Sequence, residues 1–174
     1  MKIYCYHGKQ PWAVPIEIVT GGPDAHTELE FDGLEKPFFS STLETGPRFT
    51  TFDKLISQAM SDWRVIDLGD IGPDAAIVLK AARMILQQEM IYGSAPTYNE
   101  EGIALNFLPQ PLIHQNPTQY FCSQVVVTAL QAIGLFQNMV AAMMSPNDVA
   151  DWLDKHLTAW QALRFKINEG VQAS

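Results

Sequence analysis

The sequence predicts an α+β fold, with strands gathered early and helices late. Two observations carry this. Between Lys2 and Leu68, short alternating or β-branched runs are cut by turn signals such as Gly21-Gly22-Pro23-Asp24, Asp32-Gly33 and Glu44-Thr45-Gly46-Pro47, which marks short strands joined by tight connections. From Asp74 onward, apolar residues recur at helical spacing. Strands followed by helices read as α+β.

Taken in order, Lys2 to Tyr6 and Ile16 to Thr20 are the first strand candidates, the second ended by the Gly-Gly-Pro-Asp turn. Residues 25–31 alternate and close at Asp32-Gly33. Pro37 to Thr42 and Arg48 to Phe52 follow; Asp53 to Met60 reads as a short helix and Trp63 to Leu68 as another strand. Gly72-Pro73-Asp74 opens a helix to about Tyr92, with Ala76, Val78, Leu79, Ala82, Met84, Ile85 and Met90 as its buried stripe. Residues 93–118 are rich in Pro and Asn without a period, and a loop of that length in a compact domain is often functional. A second helix carries Cys122, Val125, Val126, Ala129, Leu130 and Ile133 and ends at Gly134. Ser145 is a natural cap for a further helix with Pro146 at its first position, and the tail from His156 to Ile167 is helical. No internal repeat interrupts this order.

The 174 residues suit a single domain, 1–174, with a C-terminal helical extension from about 145. An apolar fraction of 47% and a charged fraction of 17% are those of a folded globular chain. The formal charge is -8, and the eleven Lys and Arg are scattered. Nucleic acid is therefore not the expected partner, and acidic membranes are disfavoured. No apolar run reaches the roughly 18 residues of a bilayer span, and the start of the chain lacks a secretory apolar stretch. A cytoplasmic location is expected, and there Cys5 and Cys122 read as free thiols. No cofactor is implied.

In a strand, alternate side chains share a face, so His26, Glu28 and Glu30 point one way and Thr27, Leu29 and Phe31 the other. An imidazole and a carboxylate on one face, with a thiol elsewhere, are the parts of a Cys-His-acid hydrolase. Cys122 would serve if it lies in the first turn of its helix, where orphan N–H groups favour a thiolate. A helix beginning at Tyr120 or Phe121 puts it there; one opened by Asn116-Pro117 places it more than a turn inside. The alternative for Cys122 is a core cysteine on an apolar stripe. For His26 the alternative is a half-exposed strand histidine, against which the preceding Gly-Gly-Pro-Asp turn would set it at an open edge, and a His-x-Glu pair also serves metals if a third ligand joins it. His7 and His114 are remote candidates for that role. His114 could instead line a cleft; Cys5, Phe38, Phe39 and Trp63 read as packing.

Five short motifs, in order over roughly residues 20–155, resemble the circularly permuted branch of the NlpC family, which are papain-like cysteine hydrolases. The family's Ser-His-Val-Glu-Leu-Val strand is similar to Ala25-His26-Thr27-Glu28-Leu29-Glu30. Its aromatic-Ser-Ser and Gly-Val-Arg-aromatic stretches are similar to Phe39-Ser40-Ser41 and Gly46-Pro47-Arg48-Phe49. Its aromatic-Cys-Ser-Glu-aliphatic motif resembles Phe121-Cys122-Ser123-Gln124-Val125, with Gln124 in place of Glu, and its Ser-Pro-Gly-Asp helix start resembles Ser145-Pro146-Asn147-Asp148.

The resemblance implies a permuted papain-like fold, a small antiparallel barrel or sheet packed on helices, with the His strand ahead of the Cys helix. It implies Cys122 as nucleophile, His26 as base and Glu28 as the group that orients it, with Glu44 as another source for that carboxylate. Backbone N–H groups at the start of the Cys122 helix would form the oxyanion hole. The expected substrate carries an amide bond in a peptide or peptidoglycan-like molecule. The alternatives are acyl transfer or thioester hydrolysis on lipid-like groups, for which residues 103–113 could line an apolar groove, and an inactive binding or assembly protein of viral or phage derivation, for which Met139–Met144 could form a contact surface.

Overall fold

The computed structural model describes residues 1–88, 96–98 and 119–172. Its centre is a five-stranded antiparallel sheet built from β1 (Lys2–Tyr6), β2 (His26–Glu30), β3 (Phe38–Thr42), β4 (Gly46–Thr50) and β5 (Trp63–Asp67), in the order β4-β3-β2-β1-β5. Four α-helices accompany it among the described residues: α1 (Ala13–Thr20), α2 (Asp74–Leu86), α3 (Cys122–Gln131) and α4 (Pro146–Gln172). Two short strands, β6 (Thr97–Tyr98) and β7 (Gln119–Tyr120), pair in parallel. The chain is α+β, as its pattern predicts. No helix among the described residues is long and apolar enough to cross a membrane.

Strand register decides what each face buries, because directly opposed residues share a face. Ile3↔Leu29, Leu29↔Phe39 and Phe39↔Phe49 put four apolar side chains on one side. That side meets Val125, Val126, Ala129 and Leu130 of α3, Val78 and Ala82 of α2, and Val149 and Leu153 of α4 in the main core. The opposite face carries Tyr4, Tyr6, Phe38 and Trp63, which form a second core with Ala13 of α1, Ala25 and Leu55. Their rings meet edge to face, Tyr4–Phe38 at 5.3 Å and Tyr6–Trp63 at 5.2 Å between centroids, a geometry aromatic quadrupoles favour. His26, Glu28, Ser40 and Arg48 lie on this same face.

Three elements differ from the sequence reading. Ile16 to Thr20 is not a strand but the end of α1. Its β-branched residues favour a strand, but β1 already has β2 on one side and β5 on the other. Pro15 falls in the first turn of the helix, where its missing N–H is not needed. Gly21 ends α1 in the left-handed region at φ 71, with its N–H donated to the Glu17 carbonyl at 2.9 Å. Asp53 to Met60 is not a helix either. Two 3₁₀ turns, Phe52–Lys54 and Met60–Asp62, flank an extended Leu55, and the Ser57 hydroxyl bonds Asp62 at 2.5 Å; such local side-chain bonds compete with a helix. Finally, β4 begins at Gly46 rather than Arg48. As an edge strand it accommodates Pro47.

Helix α2 ends at Leu86 with Gln87 as its cap, and it buries Val78, Ala82 and Ile85. Ala76 and Met84, assigned to the buried stripe, are exposed. Of the predicted continuation, Met90 and Tyr92 lie outside the described residues, as do His114 and residues 103–113. At the start of α4, Ser145 caps as predicted: the Asp148 N–H donates to Ser145 Oγ at 3.2 Å and the Ser145 N–H donates to Asp148 Oδ2 at 2.8 Å. The helix then runs unbroken through the predicted tail.

Candidate active site

The register that separates the two cores also opens the sheet at one point. β2 pairs with β1 along its whole length, but with β3 only at Leu29↔Phe39 and Glu30↔Phe38. Beyond that the two strands part, and Thr27 turns its backbone toward a gap. Ser40 Oγ donates to the Thr27 carbonyl at 2.5 Å. The Thr27 N–H is donated to the sulfur of Cys122. The helix on one face thus delivers its thiol to the His26 side of the sheet.

Cys122 is the first residue of α3, which settles the helix start in favour of the first-turn alternative. Phe121 precedes it in extended conformation and makes no side-chain cap bond, so the first-turn N–H groups remain available to a negative charge. Two hydroxyls fix the flanks of this residue: Ser41 Oγ donates to the Tyr120 carbonyl at 2.8 Å, and Ser123 Oγ donates to the Met144 carbonyl at 2.6 Å. Both are buried, and each bond contributes about 1 kcal/mol.

His26 and Cys122 meet within hydrogen-bonding reach. The imidazole is buried, not half-exposed, and its strand is interior to the sheet, not at an open edge. Its Nε2 donates to Glu28 Oε1 at 2.9 Å, as strand alternation predicts. Ser40 Oγ also lies 3.4 Å from Nε2, which leaves Nδ1 as the nitrogen to exchange a proton with the thiol. Glu28, fully buried, receives a second donor on the same oxygen, Arg48 Nη2 at 3.0 Å. Glu44 takes no part in this network; it sits on the turn between β3 and β4.

The charges follow from these contacts. Burial works against a charged His26, but the facing Cys122 sulfur and then Glu28 outweigh it, and the imidazole is pushed up to about 9. Burial would raise the Cys122 thiol; the imidazolium and the N–H groups of Thr27 and Ser123 more than offset it, holding the thiol below its ordinary value. Glu28 is likewise pulled down against burial by His26 and Arg48. Cys5 stands in contrast. Burial raises its thiol far above the usual range, and it packs in the main core, as the sequence reading has it. Both cysteines are free.

Beside His26 opens a cleft of ≈ 850 Å³, walled by Trp12, Ile16, Leu43 and Ile56, with Glu44 as its anion and Arg48 and Lys54 as its cations. Trp12 and Leu43 are exposed at its mouth. Among the described residues no three His, Cys, Asp or Glu side chains gather as a metal site. His156 is on α4, its Nδ1 donating to the Trp152 carbonyl at 2.8 Å. Arg48, Ser40 and Ser41 carry no assigned role in the sequence reading. Ser40 and Arg48 share the alternation of His26 and Glu28, but only the register Ser40↔Arg48 places them on the same face. Compared with models of known protein families and with curated proteins, the chain matches none.

Proposed function

We propose that this protein is a cysteine hydrolase of permuted papain-like arrangement that cleaves an amide bond through a thioester on Cys122. The observation that carries the reading is the buried contact of Cys122, first residue of a helix, with a His26 that Glu28 holds through its other nitrogen. The order of elements supports it too: the His strand precedes the Cys helix. In the reaction, the Cys122 thiolate attacks the substrate carbonyl and the carbonyl electron pair moves onto oxygen, which first-turn N–H groups of α3 stabilise. Collapse expels the amine, which takes its proton from His26. His26 then removes a proton from water, which attacks the thioester and releases the acid and the thiolate.

A second reading has one observation in its favour. The apolar walls of the cleft beside His26 suit an acyl chain, which would make the enzyme a thioesterase or acyltransferase using the same nucleophile.

The test is acylation by p-nitrophenyl acyl esters and by peptide anilides, quenched in acid and read by intact mass. A hydroxylamine-sensitive adduct on Cys122, absent in Cys122→Ala and slowed in His26→Ala, is the expected result. Rates that climb with acyl chain length favour the second reading. No adduct with any donor overturns both and leaves a binding protein.

A further inference from the structure

We propose that Arg48 is a positioning residue for the Cys122–His26 pair, acting through Glu28 to bring the buried cluster to zero net charge. This rests on the cysteine-hydrolase reading and deepens it. Arg48 Nη2 and His26 Nε2 converge on one oxygen of Glu28, at 3.0 and 2.9 Å. The glutamate is fully buried, and the arginine side chain is only 17% exposed.

Charge counting gives the reason. In the reactive state Cys122 and Glu28 are anions and His26 is a cation, a surplus of one negative charge on buried side chains. Burying an uncompensated charge is costly, so a three-membered cluster would take up a proton, either on the sulfur or on Glu28. The first event removes the nucleophile. The Arg48 guanidinium supplies the missing positive charge. Among the described residues, Cys5 on β1 also interacts with Cys122, and burial in the core holds its thiol protonated. Arg48 is therefore what allows sulfur and carboxylate to be anionic together.

The placement is specific. Arg48 stands opposite Ser40 in the β3–β4 register, and the Ser40 hydroxyl ties β3 to Thr27, between His26 and Glu28 in the chain. The guanidinium is thus referenced to the strand that carries the base. Its second amino group, Nη1, is buried and has no partner among the described residues, and neither does Glu28 Oε2. The pair is joined by one bond rather than two, so the role of Arg48 lies in charge more than in shape.

The experiment measures the pH dependence of Cys122 alkylation by iodoacetamide, resolved from Cys5 by peptide mass, in the full chain. Variants are Arg48→Gln, Arg48→Lys and the double variant Glu28→Gln/Arg48→Gln, each checked for folding by thermal unfolding. The wild type should titrate below the free-thiol value of about 8.5. Arg48→Gln should raise that midpoint by about one unit, an about tenfold slower reaction at pH 6.5. Arg48→Lys should recover most of the loss. The double variant removes one charge of each sign and should return toward the wild type, whereas a residue needed only for shape predicts a double variant no better than Arg48→Gln. A wild-type midpoint below 8.5 that Arg48→Gln leaves in place overturns the role of Arg48 alone. A double variant or Arg48→Lys as impaired as Arg48→Gln does the same. A wild-type Cys122 that titrates as a free thiol overturns the hydrolase reading and the role built on it.

Discussion

Asn147 grips the backbone of Asp24 at both of its polar groups. The Asp24 N–H donates to Asn147 Oδ1 at 2.8 Å, and Asn147 Nδ2 donates to the Asp24 carbonyl at 3.0 Å. The same amide reaches Thr20 Oγ1 at 2.5 Å. These bonds tie the first turn of α4 to the segment that leads into His26. Gly22 makes room for them, since a Cβ there would lie 2.3 Å from Asn147 Oδ1.

Asn147→Ala should therefore cost about 2 kcal/mol, because it strands two buried backbone groups. For a domain of this size that is a fall of roughly 4–8 °C in Tm. Thermal unfolding by circular dichroism checks it. An unchanged Tm would show that the clamp carries no stability.

The activity should depend on pH as a bell. kcat/KM toward an anilide should rise as Cys122 loses its proton below the ordinary thiol range, and fall as His26, pushed up to about 9, loses the proton it must give the leaving amine. A profile whose only limb rises near 8.5 would contradict the ion pair.

Glu28 should also govern acid stability. Its folded value lies below the ordinary 4.5, so on acidification the unfolded chain takes up this proton first. The unfolded state then binds more protons than the native one, and stability falls with pH. The contribution is whole above about 4.5 and disappears as pH drops through the depressed folded value. Glu28→Gln should cost about 3–5 kcal/mol at pH 7, the cost of leaving buried partners unmatched. That gap should narrow steadily below pH 4.5 in urea titrations. A gap independent of pH would mean that Glu28 does not titrate on unfolding.

Gly46 and Gly33 offer a paired test of close approach. Both have positive φ, 63 and 79. A Cβ at Gly46 would sit 2.8 Å from the Pro96 carbonyl oxygen and 3.0 Å from Thr97 Cα, while one at Gly33 would meet nothing within 4 Å. Gly33→Ala should cost about 1–2 kcal/mol, the left-handed penalty alone. Gly46→Ala should cost more, because β4 must move from β6. Equal costs in chemical denaturation would refute the steric part.

Much of the architecture was legible along the chain. The period of two put His26 and Glu28 on one face of β2, and the structure joins them at 2.9 Å. The helical stripe from Cys122 to Leu130 is buried as its spacing requires, and Ser145-Pro146 opens α4 through local bonds that the sequence itself specifies. These features depend on neighbours within a turn or a strand, so the sequence determined them alone.

What remained depended on partners distant in sequence. Ile16 to Thr20 has strand-like residues, yet β1 has no free side for it, so it coils into α1. Arg48 reads as an ordinary cation until β3 and β4 pair and bring it to the buried oxygen of Glu28. The site itself is a tertiary event: only where β2 and β3 part can the Cys122 thiol, carried by a helix on one face, reach the Thr27 N–H and the His26 ring beyond it. Local periodicity fixes which side chains share a face, whereas strand order and register fix which faces meet.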